Sequence, residues 1–142
     1  MLKNKKGFSL VELIVVIAIM AVLVGILAPT LIGYVEKSRT SKDESAIDEL
    51  ENAIELAVAE EDIFNEVIDG ATFEFEPEDG VITLEDDGDD YTNLFAKINE
   101  TIGETIELTS KTHKKDTVKV TITVASTGNV TVKAEFVTAT AS

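Results

Sequence analysis

The chain has 142 residues, no cysteine and a formal net charge of -15 at pH 7. This length accommodates one small domain with a helical stalk but not two full domains. So acidic a chain repels phosphate backbones, which argues against direct nucleic-acid binding, and without cysteine it can form no disulfide and has no thiol nucleophile. The single histidine, His113, lies in a polar, lysine-rich stretch and is predicted to be a solvated loop residue. A histidine-based triad and an ordinary zinc site therefore lack parts, and we predict no catalytic residue and no enzymatic activity.

The N-terminus places basic residues, Gly7 and a single carboxylate, Glu12, directly before an unbroken apolar run. A secretory signal peptide carries its small-residue cleavage site after the hydrophobic region, so cleavage removes that region. Here the small residue comes first. Cleavage after Gly7 would instead leave the apolar run as the mature N-terminus, starting at Phe8.

Residues Lys6 to Leu13 closely resemble the prepilin motif of type IV pilins and of pseudopilins, their relatives in type II secretion and DNA uptake. The resemblance covers Lys3 to about Lys37. It implies that a membrane-embedded prepilin peptidase cuts between Gly7 and Phe8 and methylates the new amine of Phe8. The absence of cysteine is typical of pilins from Gram-positive bacteria, and the chain is most similar to a major pilin of that kind.

The resemblance also implies an α+β pilin fold, in which an antiparallel sheet packs on the second half of a long N-terminal helix. The expected organisation is a cleaved leader at 1–7, a transmembrane or filament-core half of the helix at 8–39, and a globular head at 40–142. Loss of Lys3, Lys5 and Lys6 with the leader removes three positive charges, so the mature chain would carry a net charge of -18.

From Leu13 to Ile32 the chain has no charged residue, and about 20 residues form about 30 Å of helix, enough for one bilayer span. Basic residues flank this span on both sides, so charge does not decide its orientation. The resemblance implies a cytoplasmic leader and an external C-terminal domain. Pro29, with Gly25 and Gly33 one turn to either side, predicts a kink or loosened turn. In pilins a proline at this position marks a stretch that can lose helicity in the filament, and a plain kink is the alternative.

The rest of the chain predicts further elements. Between Lys42 and Phe64 the pattern is that of an amphipathic helix, so the simplest reading is one helix from Phe8 to about Phe64. Shorter elements are predicted as strands at Thr72 to Phe75 and Val81 to Leu84 and a helix at about Tyr91 to Ile98. Alternating apolar residues from Val118 to Val124 and from Val130 to Phe136, with Ser126 to Asn129 between them, predict a hairpin.

Glu12 is a carboxylate at the start of a membrane helix, where it loses hydration and needs a partner. One interpretation is that it interacts with the N-terminus of its own helix. The resemblance implies another, in which Glu12 neutralises the Phe8 amine of a neighbouring subunit and sets the stagger between subunits. We favour the assembly role.

The densest acidic cluster surrounds Gly88, and hard cations such as calcium prefer several oxygen ligands from a flexible loop. Some pseudopilins have a calcium site in their C-terminal region. The order of residues does not match the helix–loop–helix calcium pattern, and charge runs are usually solvated surface. Calcium is therefore a weak expectation, with these candidate ligands: Glu85, Asp86, Asp87, Asp89 and Asp90. No other cofactor is predicted.

The leading hypothesis is a structural subunit of a type IV pilus on the cell surface, made as a single-pass precursor in the cytoplasmic membrane. Its expected partners are copies of itself, prepilin peptidase, a membrane assembly platform and, before assembly, the lipid bilayer. One alternative is a pseudopilin of a secretion or DNA-uptake pseudopilus, and another is a monomeric membrane-anchored binding module. The sequence does not distinguish a major from a minor subunit, or adhesion from motility, secretion or DNA uptake.

Overall fold

The computed structural model describes residues 6–86, 88 and 90–138. Most of the leader, residues 1–5, and two candidate calcium ligands, Asp87 and Asp89, lie outside the described residues. The described elements are the helices α1 (Leu10–Val58), α2 (Glu61–Glu66) and α3 (Thr92–Ile102) and the strands β1 (Ala71–Phe75), β2 (Val81–Thr83), β3 (Thr105–Glu107), β4 (Thr117–Val124) and β5 (Val130–Val137). The α+β class with a long N-terminal helix and an antiparallel sheet is confirmed. The chain forms two compact units, one up to Glu36 and one from Lys37 onward.

The first unit contains the apolar part of α1, whose large side chains from Leu10 to Val35 are all exposed. Among the described residues, α1 is the one helix whose length and composition allow it to cross a bilayer. The helix continues through Pro29, which has no N–H to donate to the carbonyl of Gly25. The Thr30 hydroxyl donates to the carbonyl of Ile26 at 3.4 Å. The change of helicity expected for a filament concerns another state of the protein and stays a prediction.

The helix ends earlier than predicted. A single helix reaching about Phe64 is wrong, because α1 ends at Val58 and Glu60 is extended, with φ -81° and ψ 133°. A separate short helix, α2, follows and buries Ile63. This break places Glu61 and Asp62 in the first turn of α2, where the positive end of the helix dipole favours carboxylates. Apolar periodicity alone does not reveal such a break, since apolar residues continue on both sides of it.

The second unit has one hydrophobic core between α1 and the sheet. On α1, Ile47, Leu50 and Ile54 recur at helical spacing and are at most 3% exposed. They belong to the same buried cluster as alternate residues of β4, which include Val118 and Val120. Burial of both apolar faces against each other is the main stabilising contribution to this unit.

The main sheet has the strand order β1-β4-β5, with antiparallel pairs throughout. The predicted hairpin is confirmed as β4 and β5, in register with Val120 opposite Ala134. Its loop is closed by the Ala125 N–H, which donates to the Asn129 carbonyl at 2.8 Å. The Ala134 N–H donates at 2.9 Å to Oε2 of Glu51 on α1, so a helix carboxylate occupies one backbone donor of the edge strand β5.

A second, two-stranded sheet pairs β2 with β3. The strand β3 was not predicted, because three residues give too short an alternation to recognise. Before β2, Glu78 and Val81 exchange two backbone hydrogen bonds of 2.9 Å around Asp79 and Gly80. Positive φ angles of 51° and 83° at these central residues make this a tight type I′ turn, the reason for a glycine at position 80.

The helix α3 is longer than predicted and runs to Ile102. It ends where Gly103 takes a φ of 94°, and the Gly103 N–H donates to the Asn99 carbonyl at 3.0 Å. Gly103 supplies the stop signal that the sequence reading missed.

Candidate functional site

The N-terminal helix end is organised by a reciprocal pair of hydrogen bonds between Ser9 and Glu12. The backbone N–H of Ser9 donates to Oε2 of Glu12 at 2.8 Å, and the backbone N–H of Glu12 donates to the Ser9 hydroxyl at 3.3 Å. This is a capping box, in which the residue before the helix and the third helical residue satisfy each other's backbone donors. The sequence pattern Ser-x-x-Glu before an apolar run signals it, and the sequence reading did not use that signal.

The capping box sets the start of α1 at Leu10, so Gly7 and Phe8 lie outside the helix. The Phe8 side chain is 94% exposed. A Cβ added to Gly7 would meet no atom within 4 Å, so nothing in the folded chain requires a glycine there. The predicted scissile bond therefore lies in accessible, non-helical chain.

The Glu12 carboxylate has one oxygen that its own helix does not use. Oε2 is held by the Ser9 N–H, whereas Oε1 has no hydrogen bond or ion pair within the part of the chain that the structure describes. A carboxylate accepts donors on both oxygens. Self-capping and binding of a second cation are consequently compatible, although the sequence reading had treated them as alternatives.

The surface that follows Glu12 is apolar and has no covering element in its own unit. From Leu13 to Val35 there is no charged residue, and the large side chains range from 42% exposed at Val35 to 68% at Tyr34. A Cβ added to Gly25 or Gly33 would also meet no atom within 4 Å. A surface of this size is unstable in water and needs lipid or other helices around it.

The acidic loop has a structural role that the sequence reading did not foresee. Asp86 accepts from the Tyr91 N–H at 2.7 Å and from the Gly88 N–H at 3.2 Å. Glu66 on α2 accepts from the N–H groups of Asn93 and Leu94 at 3.2 and 3.1 Å. Glu66 thus satisfies two of the first donors of α3, which has no side-chain cap of its own, and Asp86 holds Tyr91, the residue before the helix.

The calcium hypothesis stays a prediction. Residues 6–86, 88 and 90–138 contain no group of three or more metal-ligating side chains that could hold an ion, and Asp87 and Asp89 lie outside that part. Glu85, Asp86 and Asp90 line an open groove of about 390 Å³. Asp86 would have to share its oxygens between an ion and the backbone donors that it already binds.

His113 is not the solvated loop residue that the sequence predicted. Its side chain is 14% exposed, and its ring stacks on Phe136 of β5 at a centroid distance of 3.9 Å. Its Nδ1 lies 3.0 Å from Oδ2 of Asp116, which is itself largely buried. The neighbouring lysines suggested an exposed position. Local composition does not reveal the contact with Phe136, which lies 23 residues later in the chain.

A buried carboxylate, Asp43, fixes the loop that precedes β4 to α1. Its Oδ1 accepts from the Thr109 N–H at 2.8 Å and its Oδ2 accepts from the Ser110 N–H at 2.9 Å. Burial raises the pKa of Asp43, but the hydrogen bonds from Ser110 and Thr109 outweigh it and hold the pKa below its ordinary value. The side chain is fully buried, so this clamp is structural.

The family model described as the prokaryotic N-terminal methylation motif matches residues 2–28, which include Gly7, Phe8, Ser9 and Glu12. No curated protein and no solved structure is significantly similar to the chain. The motif implies processing by a prepilin peptidase and assembly into pili, and it belongs to structural proteins rather than to an enzyme family. Together with the long apolar helix and the antiparallel sheet, this match at the N-terminus supports a type IV pilin-like or pseudopilin-like prepilin.

Proposed function

We propose that the chain is a structural subunit of a type IV pilus that polymerises through the N-terminal half of α1. The observation that carries this proposal is the arrangement of the methylation motif. An accessible Gly7–Phe8 bond precedes a capped helix start, and a long exposed apolar helix surface follows it. In the precursor the bilayer covers that surface, with the leader in the cytoplasm and the head outside.

Prepilin peptidase hydrolyses the Gly7–Phe8 bond with one water molecule. The new amine then attacks the methyl group of an external sulfonium-type methyl donor, which leaves as a thioether, and the resulting secondary amine at Phe8 is protonated and positively charged at neutral pH. In the filament, this amine meets Oε1 of Glu12 in a neighbouring copy, while Oε2 continues to cap its own helix. Transfer from lipid to the filament core gives little hydrophobic gain, because lipid is also apolar. Close packing of helices and the Glu12 pairing therefore supply the specificity, and a membrane assembly platform adds the subunits.

A series of N-terminal variants, each expressed as the only pilin, tests this function. Glu12→Gln keeps the capping box, since glutamine also completes it, but removes the charge. We expect normal cleavage after Gly7, a membrane-held pool and no filaments. Ser9→Ala is the matched control: it weakens the box by about 0.5–2 kcal/mol and keeps the charge, so filaments should still form.

Two measurements decide the outcome. Intact-mass analysis of the mature chain should show loss of residues 1–7 and one added methyl group, and electron microscopy of sheared cells should show filaments of this protein. A mature chain that retains its leader contradicts the processing. Abundant filaments from the Glu12→Gln chain would show that the charge is not used in assembly and that Glu12 only caps its own helix.

A pseudopilin is the second candidate, because the motif is common to both kinds of protein. Loss of secretion or of DNA uptake on deletion, without long surface filaments in the wild type, would favour it. A monomeric membrane-anchored binding module explains the head but gives no role to the free Oε1 of Glu12. A chain that is processed but stays monomeric in the membrane would favour that third function.

A further inference from the structure

The basic residues of the mature chain are unevenly placed. Between Phe8 and Ala96 the only basic residues are Lys37, Arg39 and Lys42, all within two turns of α1. All three are exposed. None of their side chains forms an ion pair or a hydrogen bond within the described part of the chain. By contrast, Lys97, Lys119 and Lys133 on the head each pair with a glutamate. The short basic segment thus carries charges that its own fold leaves unpaired.

Exposed acidic residues follow on the same helix. Glu44 and Asp48 are exposed and have no ion pair among the described residues. Asp43 does not compete with them, since its carboxylate is buried against Thr109 and Ser110. The same helix therefore carries two sets of charged residues that lack an ion-pair partner in the described chain. They are Arg39 with Lys42, called the basic pair, and Glu44 with Asp48, called the acidic pair, and both lie in the same compact unit.

Helix geometry places the two pairs on different sides of α1. At about 100° per residue, Arg39 and Lys42 lie about 60° apart, Glu44 and Asp48 lie about 40° apart, and the two pairs point about 170° away from each other. The midpoints of the pairs are separated along the helix axis by about 8 Å. All four residues are exposed, although the buried Ala53 and Ala57 further along α1 lie on the side of the basic pair. Lys37 faces the acidic side and exposed Glu49 faces the basic side, so neither belongs to the pair on its side.

The basic pair and the acidic pair lie on opposite sides of α1 and are displaced along its axis. When two copies lie parallel, the basic pair of one can therefore face the acidic pair of the next, in a head-to-tail contact. Such a heterologous interface repeats without closing and produces a helical filament. We propose that Arg39 and Lys42 of one copy bind Glu44 and Asp48 of the next, with the copies staggered by about 8 Å. This inference rests on the proposed polymerisation and names a second intersubunit contact, outside the apolar part of α1.

The net charge of the chain favours a second copy, rather than a lipid headgroup, as the partner of the basic pair. The mature chain carries -18, so neighbouring subunits repel each other unless opposite charges meet locally. The acidic pair supplies the required partner on the same helix and at the complementary position. Anionic lipids would neutralise the basic pair but would leave the acidic pair, and the repulsion between subunits, unchanged.

Charge reversal tests the contact in the full chain. Arg39→Glu with Lys42→Glu, and separately Glu44→Lys with Asp48→Lys, should each lower the ratio of filament to membrane pool by about tenfold or more, since like charges then face each other. The chain with all four substitutions should recover filaments, because its charges are again complementary. Lys114→Glu with Lys115→Glu is the matched control: it changes the net charge equally at two exposed loop residues and should assemble normally.

A disulfide test measures the stagger. The chain has no cysteine, so Arg39→Cys with Glu44→Cys introduces the only thiols. The two sites lie on different sides of the helix, beyond the ~7 Å reach of a disulfide, so any bond must join two copies. Oxidised filaments should give a ladder of covalent multimers. Arg39→Cys with Glu55→Cys, on the acidic side but about 24 Å along the axis, should give none.

Three results would overturn the inference. Either reversal chain could form filaments at the wild-type ratio, or the four-substitution chain could stay as poor as the single-side reversals. The Arg39→Glu, Lys42→Glu precursor could also be lost from the membrane without recovery in the four-substitution chain, which would assign the basic pair to lipid headgroups. These outcomes differ from failure of the proposed function, in which the unmodified chain itself forms no filaments.

Discussion

Asp43→Ala should destabilise the head strongly because it removes a buried acceptor that joins α1 to the loop before β4. The substitution removes the acceptor of the Thr109 and Ser110 N–H groups, whose hydrogen bonds to Asp43 measure 2.8 and 2.9 Å. A buried N–H without an acceptor costs about 1–3 kcal/mol, so loss of the acceptor of both should lower the free energy of unfolding by about 2–6 kcal/mol. Most domains have only about 5–15 kcal/mol of stability, so the effect is large.

The pH dependence of this effect has a definite sign. The folded pKa of Asp43 lies below its ordinary value of 3.8, so the carboxylate is more readily ionised in the folded state than in the unfolded state. Its contribution to stability is therefore complete above about pH 5 and is lost as the pH falls through 3.8 towards the folded pKa. The difference between the wild-type chain and Asp43→Ala should be constant near neutrality and should shrink below pH 4.

Hydrogen exchange of the mature chain in detergent micelles provides the measurement. Protection of the β4 and β5 amides reports the free energy of opening of the head, because these strands pair along their whole length. Glu49→Ala, an exposed substitution on the same helix, is the control and should change it by no more than about 0.5 kcal/mol. Equal protection in the two variants, or a difference that persists unchanged to pH 3, would refute the clamp.

Three further expectations concern the head. Glu66→Ala should selectively raise hydrogen exchange at the start of α3, because it removes the acceptor of the Asn93 and Leu94 N–H groups. Glu61→Ala, at an exposed residue of the same short helix, should not raise it. Equal hydrogen exchange in the two variants would contradict this cap. Gly80→Ala should cost more than Gly128→Ala, measured by the same exchange, because both have positive φ but only at position 80 would a Cβ lie 3.0 Å from the Leu108 carbonyl oxygen. Equal costs would exclude that steric contribution. Calorimetry with calcium up to millimolar concentration should show heat that Asp90→Asn reduces, and absence of heat would eliminate the proposed site.

The sequence predicted the elements that depend on periodicity. In the long helix and in the β4–β5 hairpin, the apolar pattern repeats often enough to indicate both the type of element and its buried face. The structure confirms both elements. The break after Val58 and the strand β3 were missed. The first has apolar residues on both sides, and the second is too short to show an alternation.

Contacts between residues distant in the sequence could not be predicted in the same way. Asp43 binds a loop 66 residues later, and Glu66 caps a helix 27 residues later. Neither spacing has a local signature. The capping box was different, because its Ser9-x-x-Glu12 pattern is local and was available in the sequence. The roles proposed for Gly7, Phe8 and Glu12 in processing and assembly depend on partners, so the folded single chain does not determine them.

The hydrogen bond between Glu51 and the Ala134 N–H has a consequence for the proposed filament, in which copies of the chain lie close together. Edge strands with open backbone donors can pair with the same strand of another molecule and start a sheet that grows without limit. In a filament the heads are crowded, so such pairing would compete with ordered growth. A carboxylate supplied by the helix occupies a donor in the middle of β5, and exposed Lys133 and Glu135 beside it disfavour a flat contact. The helix proposed to drive polymerisation thus also protects the sheet from an amyloid-like alternative.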